Sequence, residues 1–254
     1  MRTLIFGTSY VGDDGAQRYK ARMVELWAKL AVHLNPEADI LLVDSASKVD
    51  LGKLLEPLGF RNYYDVQTGH FLRTPRAVFS FPDNIGHLNV NGRDGWGRAF
   101  CKGIQIAIAG CYDFACHLDA DMIFTLPTQP VFEKMERSGV QVCEAWDTTY
   151  AFGETSILFF RPQYMERIKF IERYDWPSRV APFMDPSMCP ERICDEIWKD
   201  DLFTLPFRGL RDDFNRVTVN NIATAFPYGL DFLTHVKDFA VYERFLELKG
   251  IVLE

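Results

Sequence analysis

Two short apolar runs, residues 3–6 and 39–43, flank one long stretch, 16–34, and this alternation constrains the fold more than any other feature. Met23, Val24, Leu26, Trp27, Leu30, Ala31 and Leu34 recur along that stretch at helical spacing, and Asn35-Pro36 ends it. The runs are too short to be helices and are closed by Gly7 and by Asp44-Ser45. A strand, a crossover helix and a second strand make a parallel pair, which needs cover on both faces. The alternation continues: 51–58 reads as a short helix, 62–66 and 78–81 as strands, and 97–109 as a helix carrying Phe100, Ile104, Ala107 and Ile108. Strands follow at 113–118 and 156–160 (SILFF), and helices at 163–173, at 190–198 behind Pro190-Glu191, and at 239–249. The expected class is α/β, a mainly parallel central sheet flanked by helices, in a single domain over 1–254.

Residues 76–97, rich in Gly, Asn, Asp and Pro, read largely as loop, and the four prolines between 176 and 190 as a break between two parts of one domain. Neither internal repeats nor low-complexity segments occur. With 48% hydrophobic and 25% charged residues in 254, the chain has the make-up of a soluble globular protein and buries its core without staples. A net charge of -7 argues against a general binder of nucleic acid or anionic membrane. Six cysteines show no CxxC pair and no zinc spacing, so reduced core thiols and a cytoplasmic location are expected. The opening MRTLIFGTSYV runs straight into Gly12-Asp13-Asp14-Gly15, a strand and loop rather than a signal peptide. No run approaches the ~18 apolar residues of a membrane-spanning helix.

The strand at 113–118 ends in Asp119-Ala120-Asp121. Side chains i and i+2 of a strand share a face, so with strand geometry continuing the two carboxylates converge at the sheet's edge. Their repulsion and loss of water are costly, and a divalent cation removes both costs. Hard oxygen ligands suit Mg2+ or Mn2+, with substrate phosphates completing the shell. An Asp-x-Asp triplet alone arises by chance about once in a chain of ordinary composition, so its setting has to carry the reading.

That setting is residues 91–124, NGRDGWGRAFCKGIQIAIAGCYDFACHLDADMIF: a Gly-rich basic loop, a helix, a strand, then the acids. The order resembles that of family 2 and related glycosyltransferases of the GT-A fold, in which a DxD motif holds a divalent cation on the diphosphate of a nucleotide-sugar donor. The resemblance implies a Rossmann-like sheet binding ligand at the carboxyl ends of its strands. It divides the domain into a nucleotide-binding half, 1–121, and an acceptor half with a C-terminal helix, 122–254. It implies transfer of a sugar from a UDP- or GDP-linked donor to a glycan or other hydroxyl acceptor, in polysaccharide or glycoconjugate synthesis.

The resemblance implies roles for particular residues. Asp119 and Asp121 would ligate the metal with His235, and Asp119 also faces the donor. Thr8, Ser9 and Tyr10 after the first strand, and Asp44 and Ser45 after the second, fall where base and ribose lie; each also reads as a strand cap or turn former. Arg98, at a helix start, suits phosphate, as does Lys237 shortly after His235. For a base that takes the acceptor's proton, the helix at 190–198 offers Asp195 first, then Glu191 and Glu196. Glu154 is the rival, placed where retaining members carry a polar residue beneath the sugar. Inversion is favoured and stereochemistry stays open. Trp146, Tyr150 and Trp176 are candidates for an acceptor platform, or core aromatics.

No GKS or GKT follows a Gly-rich loop, no GxGxxG follows the first strand, and no GxSxG elbow occurs. The Gly-rich, basic opening of sugar-phosphate nucleotidyltransferases is also missing. Two other readings stand beside transfer: a nucleotide-sugar-binding module without turnover, and a different metal-dependent α/β enzyme of phosphoryl chemistry.

Overall fold

The computed structural model describes residues 1–12, 17–63, 74–86, 93–147, 152–175, 190–198, 201–205, 207–212, 215–225 and 229–253. In chain order the elements are β1 (Thr3–Ser9), α1 (Gln17–Leu34), β2 (Asp39–Asp44), α2 (Leu51–Leu55), β3 (Arg61–Tyr63), β4 (Arg76–Ser80), α3 (Gly95–Ala109) and β5 (Phe114–Leu118). There follow β6 (Met122–Phe124), α4 (Gln129–Ser138), β7 (Val142–Asp147), β8 (Phe152–Phe160), α5 (Pro162–Arg167), α6 (Phe170–Tyr174) and α7 (Pro190–Trp198). The last are β9 (Leu202–Leu205), β10 (Gly209–Arg211), α8 (Ile222–Ala225), β11 (Phe232–Thr234) and α9 (Phe239–Leu248).

Eight strands form the central sheet in the order β3-β4-β2-β1-β5-β8-β7-β9. From β3 to β5 all pairs are parallel; β8 runs antiparallel between β5 and β7, and β9 pairs with β7 in parallel. This is the α/β class read from the sequence. Alternate residues of β1 and β2 go to opposite faces, and both sets are apolar. Ile5, Ile40 and Leu42 pack under Val24, Trp27 and Ala28 of α1, while Leu4, Phe6, Leu41 and Val43 pack under Phe100 and Ile104 of α3. Gly103 lets α3 approach, since a Cβ there would lie 2.2 Å from the Phe6 ring.

A three-stranded sheet, β10-β11-β6, stands apart from the first. Its cluster joins Leu210, Leu233 and Ile123 to Met23, Leu26 and Leu30 of α1 and to Val241, Tyr242 and Phe245 of α9. These three-residue strands are too short to leave a periodic signal. The expected helix at 163–173 is two helices, parted where Lys169 takes a left-handed backbone (φ 52°). β1 runs past Gly7 to Ser9 because β2 continues beside it as far as Asp44. The expected strand at 62–66 is seen as β3, and its remainder lies outside the described residues. Cys101, Cys116, Cys143 and Cys194 are buried free thiols and Cys111 is an exposed one; Cys189 lies outside the description. Among the described residues, no helix is long and apolar enough to cross a membrane.

Candidate functional site

At the carboxyl end of β5 the chain leaves the sheet through Asp119-Ala120-Asp121 and enters β6. The backbone of this turn is pinned on both sides. Asp119 N–H donates to Ser156 O of β8 (3.0 Å), Ala120 N–H to Thr8 O of β1 (3.2 Å), and Met122 N–H to Asp119 O (3.1 Å). The expected convergence of two strand side chains is therefore replaced by a turn, with the carboxylates in different surroundings.

Asp119 is sheltered, its side chain 15% exposed, and several groups hold it. The Thr8 hydroxyl donates to its Oδ1. Trp96 Nε1–H lies 3.3 and 3.2 Å from its two oxygens. His117 Nε2 is 3.2 Å from Oδ1. His117 is fully buried, and its Nδ1 donates to Thr155 O at 2.9 Å, because a carbonyl only accepts. Burial pushes the Asp119 carboxyl up, but His117, Thr8 and Trp96 outweigh it and hold it below the usual range, so it stays ionised.

The start of α3 puts Trp96 there. Asp94 caps the helix, accepting from Gly97 N–H at 2.6 Å and from the Tyr174 hydroxyl at 2.8 Å. Residue 97 is glycine because a Cβ would sit 2.2 Å from Asp94 Oδ2 and 2.5 Å from the Tyr174 ring. Trp96 then stacks on Phe100 (centroids 4.8 Å apart) and meets the His117 ring edge-on at 5.6 Å.

Asp121 is exposed. Although the residue has open surface, protein packed around its carboxyl still removes water there; that loss, and then the negative charge of Asp119, push it up, against His235 and Arg211. The small sheet carries Arg211 and leads into His235. β11 runs antiparallel to β6 and their register ends with Thr234 opposite Met122, each the chain neighbour of His235 and of Asp121. β10 lies parallel beside β11 with Arg211 level with Thr234. The Tyr242 hydroxyl of α9 donates to Asp121 O at 3.3 Å and accepts from Val236 N–H at 3.1 Å; the Tyr19 hydroxyl of α1 donates to Val236 O. His235 itself takes a left-handed backbone (φ 60°), and Lys237 beyond it is exposed.

The carboxylates of α7 complete the surroundings. Glu191 Oε1 lies 3.5 Å from Arg211 Nη1, with side chains 13% and 19% exposed. Asp195, one turn further along the same face, is half-buried; burial and then the charge of Glu191 push it up, and its Oδ1 has no hydrogen-bond partner among the described residues. Glu196 is exposed. Glu144 of β7 is buried and its charge is felt at Cys194 together with those of Glu191 and Asp195.

The other residues named from sequence fall variously. Tyr10 projects at the end of β1, 38% exposed. Ser9 O accepts from Ser45 N–H (2.9 Å), and Ser45 Oγ reaches Gly95 O (3.4 Å). Asp44 is buried, accepts from Ser47 N–H (3.1 Å) and Ser47 Oγ (2.5 Å), and is pushed up by burial, so its carboxylate serves its own turn. Arg98 reaches Asp83 (Nη1 to Oδ1 3.2 Å), its guanidinium 4.0 Å over the Phe81 ring. Trp146 and Glu154 lie on paired strands, β7 and β8, with side chains outside the description, and Tyr150 and Trp176 lie outside the described residues. Among the described residues, no three His, Cys, Asp or Glu side chains are placed to hold a metal together.

Three residues of this constellation had not been singled out. His117 stands two before Asp119 and Trp96 within the Gly-rich block, so proximity along the chain was an available signal for both. Arg211 sits in a three-residue strand with no pattern to mark it.

No family model and no curated protein matches the sequence. Solved structures do match in fold. An active-site mutant of LgtC superposes with TM-score 0.52 at 13% identity, covering 98% of this chain and 95% of that one. The mannosyltransferase PcManGT from Pyrobaculum calidifontis, in complex with GDP-Man and Mn2+, gives 0.50 at 12% identity, covering 81% and 55%. The glycosyltransferase GlyE from Streptococcus pneumoniae gives 0.50 at 13%, covering 92% and 54%. This chain thus spans about half the length of the latter two. At such identities the likeness is one of architecture, and the chain has a GT-A-like glycosyltransferase fold.

Proposed function

We propose that the protein transfers a sugar from a nucleotide-diphosphate sugar to a hydroxyl acceptor, using Mn2+ or Mg2+. The observation that carries this is the Asp119–Asp121 turn, where an ionised, donor-clamped carboxylate and an exposed one lie beside a separate sheet that carries Arg211 and leads into His235. PcManGT, of like fold, is a mannosyltransferase seen with GDP-Man and Mn2+, which supports a metal and a nucleotide sugar here.

The residues fit a divalent cation held jointly by protein and substrate. Two carboxylates suit Mn2+ or Mg2+ with phosphate oxygens in the shell. Asp119 and Asp121 would hold the ion, which when bound offsets the charge of the leaving diphosphate. Among the described residues His235 is not placed with them as a third ligand.

The protein's own groups do the rest. Thr8, Trp96 and His117 fix Asp119 in one orientation before ligand arrives, as a preorganised site requires. Tyr10, at the end of β1, is open to stack on a base. Of the α7 carboxylates, Glu191 is the one tied through Arg211 to the acid turn, and Asp195 stands behind it. Glu191 would take the proton of the acceptor hydroxyl as that oxygen bonds to the anomeric carbon. The bond from that carbon to the phosphate oxygen breaks, and its electron pair leaves with the nucleoside diphosphate. This is single displacement with inversion.

Calorimetric titration with UDP and GDP, with and without Mn2+, tests the reading. Binding that needs the metal and disappears in Asp121→Asn is expected, with transfer or slow donor hydrolysis lost in the same variant. Binding without turnover would point to a carrier module, and indifference to both nucleotides would sink the proposal.

A further inference from the structure

Arg211 stands between two acidic groups that belong to different parts of the fold. On one side it meets Glu191 of α7 through an Nη1–Oε1 contact of 3.5 Å, at the outer limit of a hydrogen bond. On the other it lies level with Thr234 and Met122 across the small sheet, one residue from His235 and Asp121, and its charge acts on the Asp121 carboxyl. A guanidinium is a planar fork of N–H donors that fits phosphate oxygens in pairs. Its side chain is 19% exposed, so it is sheltered enough for charge to count and open enough to meet a ligand.

We propose that Arg211 is a shared positioning residue: it holds Glu191 in the donor-free protein, and a diphosphate seated at Asp119–Asp121 draws it away. Nucleotide binding and the release of the α7 carboxylate are then one event. A diphosphate carries more charge than one carboxylate and offers paired oxygens, so the exchange favours the ligand. The candidate base is thereby made available only when donor is in place, and the order of binding follows from one side chain. This rests on the donor-site reading above.

The test is calorimetric titration of UDP and of GDP in Mn2+ against wild type, Arg211→Met, Arg211→Lys, Glu191→Gln and the double variant Glu191→Gln with Arg211→Met. Arg211→Met is expected to weaken binding about tenfold or more, and Arg211→Lys to recover part of the loss. Glu191→Gln is expected to tighten binding by about threefold or more, because one carboxylate that competes for Arg211 is gone. The double variant should bind as Arg211→Met does. Tightening on removal of a carboxylate is a result that a purely structural ion pair does not give. Glu191→Gln binding equally or more weakly, or Arg211→Met binding as wild type, would overturn the proposal while leaving the donor site standing. Failure of the wild type to bind either nucleotide would overturn the donor-site reading and this inference with it.

Discussion

At the scale of single residues, the acid pair divides its labour. Asp119 is spoken for by Thr8, Trp96 and His117, and Asp121 faces outward. Removing one donor should therefore loosen the site without unfolding it. Trp96→Phe keeps the stacking on Phe100 and deletes the Nε1–H; metal-dependent UDP or GDP binding should weaken by about tenfold, read by calorimetry. Away from the site, Tyr174→Phe leaves the buried Asp94 short of a donor. Loss of about 1–3 kcal/mol is expected in denaturant unfolding. The sequence showed the acids because Asp at the end of an apolar run is conspicuous. It did not show Arg98 turning to Asp83 or Asp44 turning to Ser47, because a polar side chain's partner in a loop depends on which loop the fold sets opposite.

At the scale of elements, the long apolar strands and helices of the first half were legible, since burial on both faces of β1 and β2 leaves unbroken apolar runs. The small sheet was not. β6, β10 and β11 have three residues each and owe their place to pairing between distant segments. The fit of α3 on β1 yields a sharp expectation. Gly103→Ala drives a methyl into the Phe6 ring. It should cost about 1–3 kcal/mol in an unfolding titration, where Ala in an exposed helix would stabilise relative to Gly.

At the scale of the whole molecule, α1 and α9 lock the small sheet to the main body through buried hydroxyls. Tyr19 of α1 is pushed up to about 12 from 10.0, first by burial. The folded state keeps this phenol protonated above the pH at which the unfolded chain releases it. Stability is thus fully present below about pH 10 and falls as pH rises toward 12. Thermal melts across that range should show a steeper alkaline decline in wild type than in Tyr19→Phe. A shared slope would place the alkaline weakness elsewhere.

The pairing of β11 with β6 also bears on how the protein reaches its working state. Residues 232–234 must find residues 122–124 across more than a hundred positions of intervening chain. Closing so long a loop is entropically costly, whereas β1, α1 and β2 pair over a short separation. In refolding, the helical and sheet signal should therefore recover before nucleotide binding does. A chain halted before Phe232 would own both aspartates and still lack the strand that leads into His235, so competence to bind becomes a late report on the completeness of the fold.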